Sequence, residues 1–173
     1  MRLTKAVDSQ KLWKLCHSRG VAHRDGDGWV ECACGNRHWG LNGAAGLLLV
    51  RDNHVLLQHR APWVHNGDTW GIPGGARDSH ESNIQAALRE AHEEIGIEID
   101  LVTPVDTFSD EHNGWRYETV IATCSPELVA HEQNDESLEI EWVAFADVAQ
   151  KNLHPSFAKS WPQLLAVLQI RFM

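Results

Sequence analysis

Gly75-Ala-Arg-Asp-Ser-His-Glu81-Ser-Asn-Ile-Gln-Ala-Ala-Leu-Arg89-Glu90-Ala-His-Glu93-Glu94-Ile-Gly96-Ile97 places three carboxylates within five residues, shortly after a Gly-rich turn. Ile84, Ala87, Leu88, Ala91 and Ile95 recur at the spacing of one apolar helix face, which predicts that this face is buried. At about 100° per residue, Glu90, Glu93 and Glu94 gather on a different face, roughly 130° away, and are expected to point into a cleft. Gly96 suits the helix end, and Ser79 or Ser82 its start. An acidic stretch is ordinarily a solvated face. Here, however, like charges at i, i+3 and i+4 repel, and Arg89 is the only cation among them. A divalent cation would relieve that repulsion.

The same stretch fits G-x5-E-x7-R-E-U-x-E-E-x-G-U, with Ala91 and Ile97 as the apolar U positions, and so resembles the Nudix box. Nine specified positions over 23 residues make the match far more specific than a short glycine motif. The resemblance implies an α/β fold, the family's α/β/α sandwich around a mixed β-sheet. It also implies a MutT-like hydrolase acting on a nucleoside diphosphate linked to some other moiety. Glu90, Glu93 and Glu94 would be ligands for Mg²⁺ or Mn²⁺, a hard cation that keeps waters and takes few carboxylates. Water attack at phosphorus would follow, with Glu93 and Glu94 also among the catalytic candidates. Glu81 and Arg89 match the family's structural brace.

The general base differs between members of the family, and the box does not decide it. Glu136, six residues before Trp142, corresponds in place to a loop glutamate of MutT-like members and is a further candidate ligand or base; Glu139 and Glu111 are weaker ones. Arg60 ends a strand where the family often sets a basic residue against substrate phosphates, the alternative being a surface ion pair. Trp70, Gly74 and Gly75 complete the expected substrate contacts, although core packing is favoured for Trp70 because aromatics bury large areas. Trp63, His65 and Asn66 occupy the preceding loop.

Cys32-x-Cys34-x3-His38, with Cys16 or His17 upstream, could supply thiolate and imidazole ligands to a structural Zn²⁺. A single C-x-C is less specific than paired C-x2-C knuckles, and reduced cysteines are the competing reading. Cys124 reads as a small apolar residue in a strand.

The remaining chain divides into an N-terminal extension, 1–40, and a hydrolase domain, 41–173. A helix is expected over 8–19, and strands near 29–32, 47–50, 55–58, 98–108, 115–124 and 139–145. Phe157, Trp161, Leu164, Leu165 and Leu168 predict a final helix. A net charge of -9 argues against a general nucleic-acid binder. The longest apolar run, 44–50, is too short for a membrane span, and no signal-peptide core is visible, so a cytoplasmic protein is expected. The expected partner is a small nucleotide or nucleoside diphosphate derivative, and the first forty residues either pad the core or form a homodimer contact. A nucleotide-sensing module without turnover is the main alternative. It is disfavoured because the box carboxylates are retained. An isomerase of the isopentenyl diphosphate type lacks a visible cysteine and glutamate pattern.

Overall fold

The computed structural model describes residues 24–172. The helix expected over 8–19, and with it Cys16 and His17, lies outside the described residues.

β3 (Ala44–Arg51) forms the centre of the molecule. Its run of Ala, Gly, Leu and Val contains no charge before Arg51, and seven of its eight residues are buried, as a strand covered on both faces requires. Along it the side chains alternate. Leu47 and Leu49 face one core, and Leu48 and Val50 face another. β3 turns through Asp52 and Asn53, both with positive φ, into β4 (His54–Arg60). It also pairs in parallel with β8 (Trp115–Cys124), which is antiparallel to β7 (Val102–His112). β4 in turn carries β9 (Ser137–Ala144) and the two-residue β5 (Trp70–Gly71), while β6 (Gly74–Ala76) pairs with the start of β3. The sheet is therefore mixed, with seven strands among the described residues.

Helix α1 (Asn83–Ile95) covers one face, burying Ala86, Ala87, Ala91 and Ile95 with Leu47, Leu49 and Val120. Helix α2 (Pro155–Phe172) covers the other, burying Phe157, Trp161, Leu164 and Leu168 with Leu48, Leu57 and Ile121. This is an α/β/α sandwich. No helix among the described residues is long and apolar enough to cross a membrane.

Some expectations require correction. Ile84, assigned to the buried face of α1, is 38% exposed, because it lies in the first turn, and Ala86 takes an inward position instead. The strand expected over 98–108 begins at Val102, after a 3₁₀ turn at Ile99–Leu101, and continues to His112. The Gly-rich turn ahead of the carboxylates, which spans 70–75, contributes to the two short strands β5 and β6. Ahead of the main sheet, β1 (Trp29–Glu31) and β2 (Arg37–Trp39) pair, among the described residues, only with each other. Backbone bonds from Gly40 to Gly28 and from Leu41 to Gly26, with the Trp115 indole on the Gly40 carbonyl at 2.8 Å, fasten this hairpin to the body.

Candidate active site

α1 aims the carboxylates because both its ends are fixed. Ser82 Oγ accepts from the Gln85 amide at 3.2 Å, and Gln85 Oε1 accepts from the Ser82 amide at 2.8 Å, a reciprocal capping box. Gly96 closes the other end in the left-handed region at φ 62°, its N–H donating to the His92 carbonyl. Ser79, the other candidate cap, instead holds the Asp25 carboxylate, with its amide 2.8 Å from Oδ1.

Between these caps, Glu90 and Glu94 are buried, and the Glu93 side chain is 38% exposed. Both buried groups back onto the β5–β6 segment. The Gly74 amide donates to Glu94 Oε2 at 3.3 Å, and a Cβ on Gly75 would stand 2.7 Å from the Glu90 carboxyl carbon. Burial, followed by the Glu90 charge, pushes the Glu94 carboxyl up to about 8, with the charge of Glu136 acting in the same direction and Arg60 opposing it. Burial also raises Glu90, with Arg89 opposing. Removing positive charge would make this group of acids still harder to ionise.

Arg89 and Glu81 meet behind the carboxylates. Arg89 Nε lies 2.6 Å from Glu81 Oε1 and its terminal nitrogen 2.8 Å from Oε2, a two-pronged contact, while a further nitrogen reaches Glu90 Oε1 at 2.6 Å. The terminal nitrogen that reaches Glu81 Oε2 also donates to the Ala76 carbonyl at 3.0 Å. Burial pushes the Glu81 carboxyl upward, but the Arg89 hydrogen bond and charge outweigh it and leave it below its ordinary value.

In front of Gly74 and Gly75 opens a cavity of about 540 Å³. Arg60 and Glu136 line it with these glycines, as do His65 and Asn66. Glu136 is held beside Arg60 because its carbonyl accepts from the Ala61 amide at 2.8 Å. Trp70 does not line the cavity. It is buried in the core under α2, with His59 stacked at 4.8 Å and Lys151 4.2 Å from its ring centre, because the two-residue β5 sets it inward against Phe157 and Trp161. Trp63 is 68% exposed. Neither Glu139 nor Glu111 lines the cavity; Glu111 pairs with Arg116 at 2.8 Å. Cys124 is half-buried at the end of β8 beside the α1 core.

Several residues were not visible from the box. Arg24 inserts its guanidinium between Glu93, which it contacts, and Glu90, 3.4 Å away. Arg77 ties the loop before α1 together through the Glu81 carbonyl at 2.8 Å and the Asn42 carbonyl at 2.7 Å. Tyr117, Trp29, Trp39, Trp115 and His154 line the cavity. Burial, with the charges of Arg60 and His65, drives His154 down to about 4, so its ring stays neutral at physiological pH. No local pattern marks these residues, since they reach the site from separate strands and loops.

A NUDIX domain model matches residues 40–164. The chain is 46% identical over 151 residues to a protein of Mycobacterium tuberculosis named putative 8-oxo-dGTP diphosphatase 3, covering 81% of this chain and 69% of that one. It is 44% identical over 155 residues to a nucleoside triphosphate pyrophosphatase/Nudix hydrolase fusion protein of Bifidobacterium longum; the match takes in 84% of this chain but only 32% of the fusion. Among solved structures, the Nudix hydrolase RenU of M. smegmatis superposes with a TM-score of 0.79 at 46% identity, covering 86% of this chain and 98% of that one. The chain belongs to the Nudix hydrolase family.

Proposed function

We propose that this protein is a pyrophosphohydrolase that cleaves the diphosphate linkage of a nucleoside triphosphate, an oxidised purine nucleotide being the favoured substrate. The observation that carries the reading is the seating of Glu90 and Glu94 directly behind Gly74 and Gly75, two glycines that line a cavity large enough for a nucleotide; the carboxylates stand behind that lining rather than pointing into the cavity as expected. The name of the M. tuberculosis relative supports the choice of substrate, and the aromatic lining from Trp29, Trp39 and Trp115 suits a purine base.

Glu90, Glu93 and Glu94 would hold Mg²⁺ or Mn²⁺. Their oxygen-only donor set fits a hard cation, and a cationic group, the Arg24 guanidinium, already lies against two of them. When bound, the metal neutralises diphosphate charge and lowers the pKa of a coordinated water. The side chains then have separate tasks. Arg60, whose buried Nε has no hydrogen-bond partner among the described residues, offers that N–H to a phosphate oxygen. Glu136, exposed at the cavity and within electrostatic reach of Glu94, accepts the proton of the attacking water. Glu81 and Arg89 position Glu90 without touching substrate.

The test is turnover. Wild type and Glu136→Gln are incubated with saturating Mg²⁺ and a panel of ordinary and oxidised nucleoside triphosphates, dinucleotides and nucleotide sugars, and pyrophosphate and phosphate release are measured. Pyrophosphate release fastest from an oxidised purine triphosphate is expected. Tight binding without hydrolysis of any panel member would instead identify a nucleotide sensor, and full turnover by Glu136→Gln would remove that residue from the chemistry.

A further inference from the structure

The β1–β2 hairpin presents a physical problem. Each strand has three residues, neither joins the main sheet, and Trp29 and Trp39 are 40% and 42% exposed. A two-stranded ribbon of this size is marginal in water. At its turn, however, Cys32, Cys34 and His38 converge, with one donor atom from each lying within 4.8 Å of the others and Cys34 Sγ 3.1 Å from His38 Nε2. The backbone is shaped around the sulfurs. The Cys34 amide points at Cys32 Sγ at 3.4 Å, Gly35 takes φ 86°, and the Gly35 amide closes the turn on the Cys32 carbonyl at 3.0 Å. Among the described residues both thiols are free of disulfide bonds.

We propose that Cys32, Cys34 and His38 bind a structural zinc ion that fastens this hairpin against the cavity, three of its four ligand atoms being the two sulfurs and His38 Nε2. Donors on a tetrahedral zinc stand roughly 3.5 Å apart, given bonds of about 2.0–2.3 Å, so the observed separations close on an ion with small side-chain adjustments. Two thiolates and an imidazole are a soft donor set that selects zinc over the hard cation suited to Glu90, Glu93 and Glu94. The His112 ring, centred 4.5 Å from that of His38, stands beside the cluster. His38 also stacks on Trp115 at 4.3 Å, and it lines the cavity with Trp29 and Trp39, so an ion there would stiffen the aromatic wall. The thiol protons are released on binding. The site stands apart from the hydrolytic reading and survives if that reading fails.

The experiment is elemental analysis of the full chain purified in reducing buffer without chelator, before and after incubation with zinc. It is paired with optical spectra of the cobalt-substituted wild type. About one zinc per chain, thiolate-to-cobalt charge-transfer absorption, and loss of zinc in Cys34→Ser are expected. Less than about 0.2 zinc per chain after incubation, or a cobalt spectrum without thiolate bands, would overturn the site. The wild-type spectrum decides the matter even if Cys34→Ser fails to fold.

Discussion

Gly75 is a glycine because a carboxylate needs the space. A Cβ there would lie 2.7–2.8 Å from all three atoms of the Glu90 carboxyl group, closer than real contacts permit, so the carboxylate would have to shift against its 2.6 Å hydrogen bond from Arg89. Gly75→Ala is therefore predicted to displace Glu90, raise the Mg²⁺ concentration needed for half-maximal rate, and lower kcat/KM by about 100-fold. A Mg²⁺ titration of the variant checks this, and an unchanged midpoint would count against Glu90 as a ligand. At this scale the sequence was informative where the site is local. The spacing that groups Glu90, Glu93 and Glu94 belongs to one helix, so it can be read without knowing the rest of the fold. Arg24, Tyr117 and His154 reach the same place across 60 residues or more of chain, or from separate strands, and no spacing announces them. Trp70 shows the converse difficulty, since an indole fits a base as well as a core and only its strand direction decides.

Among the elements, the loop before α1 depends on a buried charge pair. The Arg89 and Glu81 side chains are 12% and 2% exposed, and Arg89 also holds Glu90. Removing one member leaves uncompensated buried charge, at a cost of about 3 kcal/mol or more. Arg89→Met is predicted to lower Tm by roughly 10 °C, and pairing it with Glu81→Gln should restore part of that loss because one stranded charge disappears. Thermal unfolding of these two variants and of Glu81→Gln alone tests this; a double variant that loses the sum of the two single losses would mean that the pair is not coupled. The long elements were readable from their patterns. β8 coincides with the expected 115–124, and the apolar spacing of Phe157, Trp161, Leu164 and Leu168 marks the buried face of α2. β5 and β6 were not readable, because Trp70-Gly-Ile-Pro-Gly-Gly75 has turn composition and pairs only where β3 and β4 offer edges.

Across the whole molecule, the two cores on either side of the sheet serve the site. α1 is pinned to Leu47 and Leu49 on one face, while Ile72 and Phe157 belong to the other core and also line the cavity, so the carboxylates and the substrate wall are fixed to one mixed sheet. The sandwich was implied by the resemblance of the Gly75–Ile97 stretch to the Nudix box, whereas the cavity was not legible, since the β1–β2 hairpin, the loop at 61–69, β7 and α2 meet only in three dimensions. The central claim is that the α1 carboxylates drive metal-dependent hydrolysis. Steady-state hydrolysis by wild type and Glu94→Gln at saturating Mg²⁺ tests it most directly, with circular dichroism confirming the fold of each. A loss of at least about 100-fold in kcat in a folded Glu94→Gln protein is predicted, and a folded variant retaining wild-type kcat would contradict it.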